Sequence, residues 1–255
     1  MDNFVDLTGQ TALVTGGSRG IGEAIVRKLV ERGARVVLNY VASEQRANEI
    51  RDELGSDKVL PVRADIGVLE QLQSLWHEAV GWQGKIDILV NNTSVRDAIA
   101  LDVDPASWDR HWDRAFRVNL LATAHLSRAA ILHFRETGGG KIVGITARIA
   151  VRGDRPEYYH DGAMKGGMNS LLRGIARFHA KENIRTFLVC VGVVQTQQAD
   201  EMVDTYGSDE MFREIPYGRF GKPEEVADTV AFLVSGRADY ATGCTVDLVG
   251  ASFLH

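Results

Sequence analysis

A chain of 255 residues, 45% hydrophobic and 25% charged, has the size and balance of one large α/β domain with a substantial core. Its net charge of −5 provides no basic footprint for nucleic acid or an anionic membrane, and no apolar run approaches the roughly 18 residues of a membrane span. The opening MDNFVDLTGQ has no secretory pattern and the two cysteines, Cys190 and Cys244, lie far apart in apolar runs, so a soluble cytoplasmic protein with free thiols is expected.

Strand-like apolar runs alternate with amphipathic helical patterns from one end to the other. The first candidate strand, 11–15, leads into Thr15-Gly16-Gly17-Ser18-Arg19-Gly20-Ile21-Gly22 and a helix over 21–32. Glycines at 16, 20 and 22 permit a tight turn, close approach of backbone to a phosphate, and close packing of helix on strand. The helix start then offers free N–H groups and a positive dipole end to a pyrophosphate. The second strand, 35–39, ends at Asn39, where an NAD-selective domain would place an acid for the ribose hydroxyls. Asn39 has no charge to repel a 2′-phosphate and Arg19 is able to pair with one, which favours NADP(H) over NAD(H). A solvated loop charge is the other reading of Arg19.

Further strands are expected over 59–62, 86–91, 141–146, 184–191 and 245–248, and helices over 44–54, 69–80, 117–135, 164–180 and 223–233. This alternation implies right-handed βαβ crossovers. The expected architecture is a single Rossmann-type doubly wound domain, residues 1–255, with a seven-stranded parallel sheet and helices on both faces. Trp108, Trp112 and Phe116 recur at helical spacing and suggest core or a subunit interface. Arg148, Arg152 and Arg155 make one loop basic, either to meet an acidic substrate or as solvated charges. The polar, aperiodic stretch 195–220 reads as a lid over a pocket.

Lys165 follows Asp161 by four residues and Tyr158 by seven. In one continuous helix both would share its face, since four residues advance about 40° and seven return to within about 20°. A tyrosine beside a lysine is a proton donor next to a cation, as reduction by hydride requires. Asp161 with Lys165 alone would be an ordinary i,i+4 ion pair. Spacing leaves both readings open.

TGGSRGIG at 15–22, Asp65-Ile66, Asn91-Asn92, Asn119 and Lys165 stand in an order and spacing that resemble the short-chain dehydrogenase/reductase family. The likeness continues through Gly218-Arg219-Phe220-Gly221-Lys222-Pro223 to Ala241-Thr242-Gly243. It implies that Asp65 meets the adenine, that the Asn-Asn pair supports the sheet beside the cofactor, and that Asn119 holds a water linked to the lysine. Lys165 would bind the nicotinamide ribose and ease proton loss from a tyrosine. Gly16, Ser18, Arg19, Gly20, Ile21, Gly22, Asn39, Ile66, Asn92, Gly192 and Thr196 complete the implied cofactor set, with no metal. A homodimer or homotetramer formed through the helices around Asn119 and Lys165 is also implied; a hetero-oligomer stays open.

The departures from the family pattern bear on the chemistry. Ala147 stands where most members have a serine, Asp161 where they have a tyrosine, and Thr93-Ser94 where they have Ala-Gly. Thr146 carries a hydroxyl, but strand alternation should turn it away from the face of residue 147. Losing one donor to a developing alkoxide costs about 3 kcal/mol, or 10²–10³ in rate. Asp161 is no ready substitute, because a carboxylate beside a cation has no proton to give. Ordinary ketone reduction is therefore disfavoured. Tyr158 with six intervening residues before Lys165 resembles the enoyl-ACP reductase branch of the family, which does not need the serine. The leading expectation is an NADP(H)-dependent reductase of a conjugated C=C bond in an enone or enoyl thioester. Tyr158 would be the donor, supported by Lys165 and Asn119, and the substrate a small molecule, CoA- or carrier-linked among the candidates. A carbonyl reductase or alcohol dehydrogenase with a relay through Tyr159 or His160 is the alternative, as is a cofactor-binding pseudoenzyme or non-catalytic subunit.

Overall fold

Seven short runs of Val, Ile and Leu form the strands of one sheet in the computed structural model, which describes residues 4–254. Residues 1–3 and 255 of the expected domain lie outside the described residues. In chain order the strands are β1 (Thr11–Val14), β2 (Arg35–Tyr40), β3 (Val59–Arg63), β4 (Ile88–Asn91), β5 (Gly140–Ala147), β6 (Ile184–Val191) and β7 (Thr245–Leu248). They are ordered β3-β2-β1-β4-β5-β6-β7 and every pair is parallel. The expected doubly wound, seven-stranded sheet is thus present.

Strand alternation divides the core into two layers. Ala12, Val14, Val36, Leu38, Ile88 and Val90 face one side, where they meet α1 (Gly20–Glu31), α2 (Glu44–Leu54) and α10 (Pro223–Val234). Leu13, Val37 and Leu89 face the other, against α3 (Leu69–Gln83), α5 (Ala122–Thr137) and α7 (Tyr159–His179), the last preceded by a single-turn α6 (Ile149–Arg152) after β5. Burial on both faces explains why the strands read as continuous apolar runs rather than alternating ones.

Four local differences from the sequence reading matter for the site. The pattern expected as one helix over 117–135 is preceded by a separate α4 (Pro105–Ala115). Asp104 caps that helix by accepting from the Ser107 N–H at 2.9 Å, with Pro105 in its first turn. A π-helical turn, Phe116–Leu121, then joins α4 to α5 and contains Asn119. Such turns often occur at functional sites. The stretch 195–220 is not irregular: it folds as α8 (Gln197–Tyr206) and α9 (Ser208–Arg213). Trp108 and Trp112 are half-buried with ring centroids 5.9 Å apart, while Phe116 is exposed, so this row is not core.

The fourth difference concerns Tyr158. Helix α7 begins at Tyr159, and Tyr158 closes a 3₁₀ turn (Pro156–Tyr158) with φ −126° and ψ 19°. Only Asp161 therefore shares a helix with Lys165. The seven-residue angular argument fails at Pro156, which starts a separate turn just before the helix.

Candidate active site

The chain reverses direction of winding between β1 and β4, and a parallel sheet opens a crevice at such a point. The glycine loop lies there. Gly16 and Gly20 have φ of +63° and +54°, in the left-handed region open to glycine. A Cβ on Gly22 would lie 2.1 Å from the Gly16 carbonyl oxygen, so helix α1 approaches the loop as closely as backbone permits. Thr15 Oγ1 accepts from the Asn92 and Thr93 N–H groups at 2.9 and 3.1 Å. Asn92 Nδ2 donates in return to the Thr15 carbonyl at 2.9 Å, tying the loop to the end of β4. Arg19 precedes α1 and makes no side-chain cap, so the first helical N–H groups keep their capacity for an anion.

Other expected cofactor residues take different places. Ser18 and Ile66 are buried. Asn39 is also buried: its Nδ2 donates to the Ala64 carbonyl at 2.9 Å and its Oδ1 accepts from the Gly16 N–H at 3.3 Å. It braces the glycine loop against β2 and β3. Asp65 accepts from the Gly67 N–H at 2.9 Å and pairs with Arg114 at 3.1 Å. Arg63, which carries no sequence signal, sits opposite Tyr40 at the ends of β3 and β2 and donates to the Val41 carbonyl.

A cleft of about 490 Å³ runs from the glycine loop to α8 and α9. Gly16, Arg19, Gly20, Ile21, Gly22, Asn92, Gly192 and Thr196 border its first part; Ala147, Asp161, Lys165 and Arg96 border the second. Thr146 borders it too, with Oγ1 enclosed and without a hydrogen-bond partner among the described residues. Lys165 is 6% exposed and its Nζ donates to the Ile145 carbonyl at 2.9 Å. Burial pulls its pKa below the ordinary 10.5, and the nearby Asp161 charge only partly restores it. Asp161 is not spent on Lys165. Its Oδ1 accepts from Asn119 Nδ2 at 3.2 Å, and its Oδ2 lies 3.5 Å from Arg96 Nη1. Asn119 also accepts from the Val95 N–H and donates to the Val95 carbonyl, both at 2.8 Å. The π-helical turn thus holds the loop after β4 against the start of α7.

Tyr158 does not border this cleft. The Arg96 guanidinium covers its ring at 3.8 Å. Tyr159 is 47% exposed. His160 is buried beside Trp112 and lines a separate cavity of about 200 Å³; burial lowers its pKa. The structure brings together Lys165, Asp161, Asn119 and the glycine loop, and leaves all three sequence-nominated donors, Tyr158, Tyr159 and His160, outside the cleft wall.

Residues that pattern reasoning did not single out fill the gap. Arg96 and Asp154 pair at 2.9 Å, and burial raises the Asp154 pKa. Tyr206 borders the cleft from α8 and donates to Glu157 at 2.7 Å; burial and that acceptor hold its phenol well above the ordinary range. The basic loop meets acids of the chain itself. Arg148 and Arg152 both reach Glu214 Oε2, at 2.9 and 3.0 Å, and Arg155 reaches Glu210 at 2.6 Å. These pairs fasten the α8–α9 segment across the cleft. Among the described residues, no group of three His, Cys, Asp or Glu is placed to hold a metal, and no helix is long and apolar enough to cross a membrane.

Residues 16–249 match a family model described as enoyl-(acyl carrier protein) reductase. Glucose 1-dehydrogenase 2 of Bacillus subtilis is 31% identical over 255 residues, covering 99% of this chain and 98% of that protein. A short-chain type dehydrogenase/reductase from Mycobacterium marinum superposes with a TM-score of 0.89 at 27% identity, covering 100% of this chain and 99% of its own. A 3-ketoacyl-(acyl-carrier-protein) reductase from Brucella melitensis, solved with NADH, gives a TM-score of 0.87 at 29% identity, covering 98% of this chain and 100% of its own.

Proposed function

The chain belongs to the short-chain dehydrogenase/reductase family, and from that premise we propose that it is an NADP(H)-dependent oxidoreductase that reduces a carbonyl, with Lys165 as the proton donor. One observation carries this reading. The enclosed Lys165 ammonium borders the cleft together with Ala147 and Asp161, and among the described residues the phenols of Tyr158 and Tyr159 do not line it. A desolvated lysine releases its proton more readily than an exposed one, the property that acid–base work asks of a proton donor. A 3-oxoacyl thioester or a related ketone is the substrate class; the Met202 and Met211 side chains in the second part of the cleft suit an acyl chain.

The glycine loop fits a dinucleotide, since the space against Gly22 admits no side chain and the first N–H groups of α1 have no cap. Gly16, Gly20, Gly22, Asn92, Gly192 and Thr196 would hold it, and once bound it supplies the hydride. Arg19 is exposed at the loop without an ion pair among the described residues and meets the 2′-phosphate; Asn39 acts from behind by fixing the loop. Arg19→Ala should weaken NADPH about tenfold or more and leave NADH unchanged, as loss of a charged hydrogen bond worth about 1.5–3 kcal/mol requires. Equal weakening of both cofactors in a fluorescence titration would remove Arg19 from that role. Phe116, Leu132 and Phe178 are exposed near or on α5 and α7, and homo-oligomerisation through these helices is part of the proposal, readable by sedimentation. A cytoplasmic setting accords with Cys190 and Cys244 as free thiols.

Enoyl reduction is the second reading. It is favoured by the enoyl reductase family model and by Tyr158, which sits one residue before α7 with its ring fixed under Arg96. The two part company in one experiment. Carbonyl chemistry predicts NADPH oxidation with a 3-oxoacyl thioester that survives Tyr158→Phe. Enoyl chemistry predicts turnover of an enoyl thioester that the same substitution abolishes. NADPH binding with neither turnover would make the protein a non-catalytic binder.

A further inference from the structure

Hydride addition to a carbonyl places negative charge on its oxygen, and a donor fixed there in advance is the largest single aid to the reaction. Ala147 and Asp161, which occupy the two positions nearest such an oxygen by family resemblance, have no donor to offer. Arg96 stands beside them. Its side chain is 15% exposed and borders the cleft. Nη1 and Nη2 both reach Asp154 Oδ2 at 2.9 Å, while Nη1 lies 3.5 Å from Asp161 Oδ2, too long for a good hydrogen bond. The ring of Tyr158 supports the guanidinium plane at 3.8 Å.

A guanidinium has five N–H groups, and these contacts engage only part of them. The cation is held by a carboxylate at one edge and an aromatic ring at one face, so its direction is set before substrate enters. Asp161 is held in turn by Asn119. The carboxylate that replaces the family tyrosine therefore orients a cation instead of giving a proton.

Resting on the carbonyl-reductase reading above, we propose that Arg96 is a catalytic residue that donates to the substrate carbonyl oxygen and holds the alkoxide, with Asp154 and Asp161 as its positioning residues. The balance is simple. The carbonyl carbon gains hydride from NADPH, which leaves as NADP⁺. The C=O π pair moves to the oxygen beside Arg96, and that oxygen takes a proton from the Lys165 ammonium, which solvent replaces.

The test compares wild type, Arg96→Ala and Arg96→Lys with NADPH and a 3-oxoacyl thioester, following turnover, NADPH fluorescence and melting temperature. Arg96→Ala should lower kcat about 10²–10³-fold. NADPH affinity should stay within about threefold, and millimolar guanidinium chloride should restore part of the lost rate. Arg96→Lys should recover little, because an ammonium lacks the planar fork. Guanidinium rescue separates a chemical role from a structural one and keeps the proposal testable in a variant with a lowered melting temperature. Full activity in Arg96→Ala, or a loss without rescue in a folded variant, overturns the role of Arg96 alone. A wild type that turns over no carbonyl substrate overturns the carbonyl reading and this one with it.

Discussion

Lys165→Met is expected to lower kcat about 10²–10⁴-fold, the range that general acid–base groups contribute, while the fold holds or gains stability. The substitution keeps length and apolar stem but removes a charge that is almost wholly enclosed. Removing the donor to the Ile145 carbonyl costs part of one hydrogen bond. Against that, the variant no longer desolvates an ammonium, and the two effects oppose each other. A falling melting temperature together with lost activity would point to a structural lysine and sink the proton-donor role. The pH dependence gives a second signature. Reduction needs the charged ammonium, so kcat should fall as pH rises through the depressed pKa of Lys165, below the ordinary 10.5. Between those two values the unfolded chain holds the lysine proton and the folded chain does not, so this group's contribution to stability rises with pH across that window. The contribution is lost as pH falls through the folded pKa. The wild type should therefore close any stability gap to Lys165→Met as pH rises from the depressed folded pKa towards 10.5.

The same lysine marks where reading the chain succeeds and stops. The sheet and the glycine loop were legible because their causes are local: apolar runs of strand length, and glycines where the backbone admits nothing larger. Asp161 with Lys165 satisfied a local rule as well, yet each side chain turned to a partner distant in sequence, Ile145 for the lysine and Asn119 and Arg96 for the carboxylate. No periodicity announces such partners. Arg96 carries no motif at all, and its value comes from meeting Asp154 and Asp161 across the cleft. Helices α8 and α9 are faint in the sequence for a related reason: they are short and polar, and much of what fastens them is ionic, from Arg148, Arg152 and Arg155. That fastening is a structural role for the basic loop, whose arginines pair with Glu214 and Glu210 while bordering the cleft. Tyr158 falls outside the helix of Lys165 because a turn opened by Pro156 comes first, and that proline is the local cue to the break.

Gly22→Ala tests the other half of the site, and its effect should be large although only one methyl group is added. The φ of Gly22 is not in the left-handed region, so backbone strain is not the issue; space is. The new Cβ would stand 2.1 Å from the Gly16 oxygen, 2.8 Å from the Gly16 carbonyl carbon and 2.7 Å from Asn92 Nδ2. Two of those atoms are backbone, and the Asn92 amide is itself committed to the Thr15 and Gly16 carbonyls. Helix α1 must shift away from the loop, which unpacks Ile25 and Val26 from the core and opens the phosphate cradle together. Overpacking of this kind costs about 1–3 kcal/mol, and the upper end or slightly beyond is expected where backbone cannot yield. For a chain of this size that is a drop in melting temperature of several degrees, about 2–4 °C per kcal/mol. NADPH affinity should fall by at least an order of magnitude, since the first N–H groups of α1 leave their alignment. Gly81→Ala in α3 is the matched control: its Cβ meets nothing within 4 Å, and the gain in helix propensity should stabilise by up to about 1 kcal/mol with unchanged NADPH binding. Wild-type cofactor affinity in Gly22→Ala, at whatever melting temperature, would mean that the nucleotide does not lie against this loop, and the cofactor assignment would have to be abandoned.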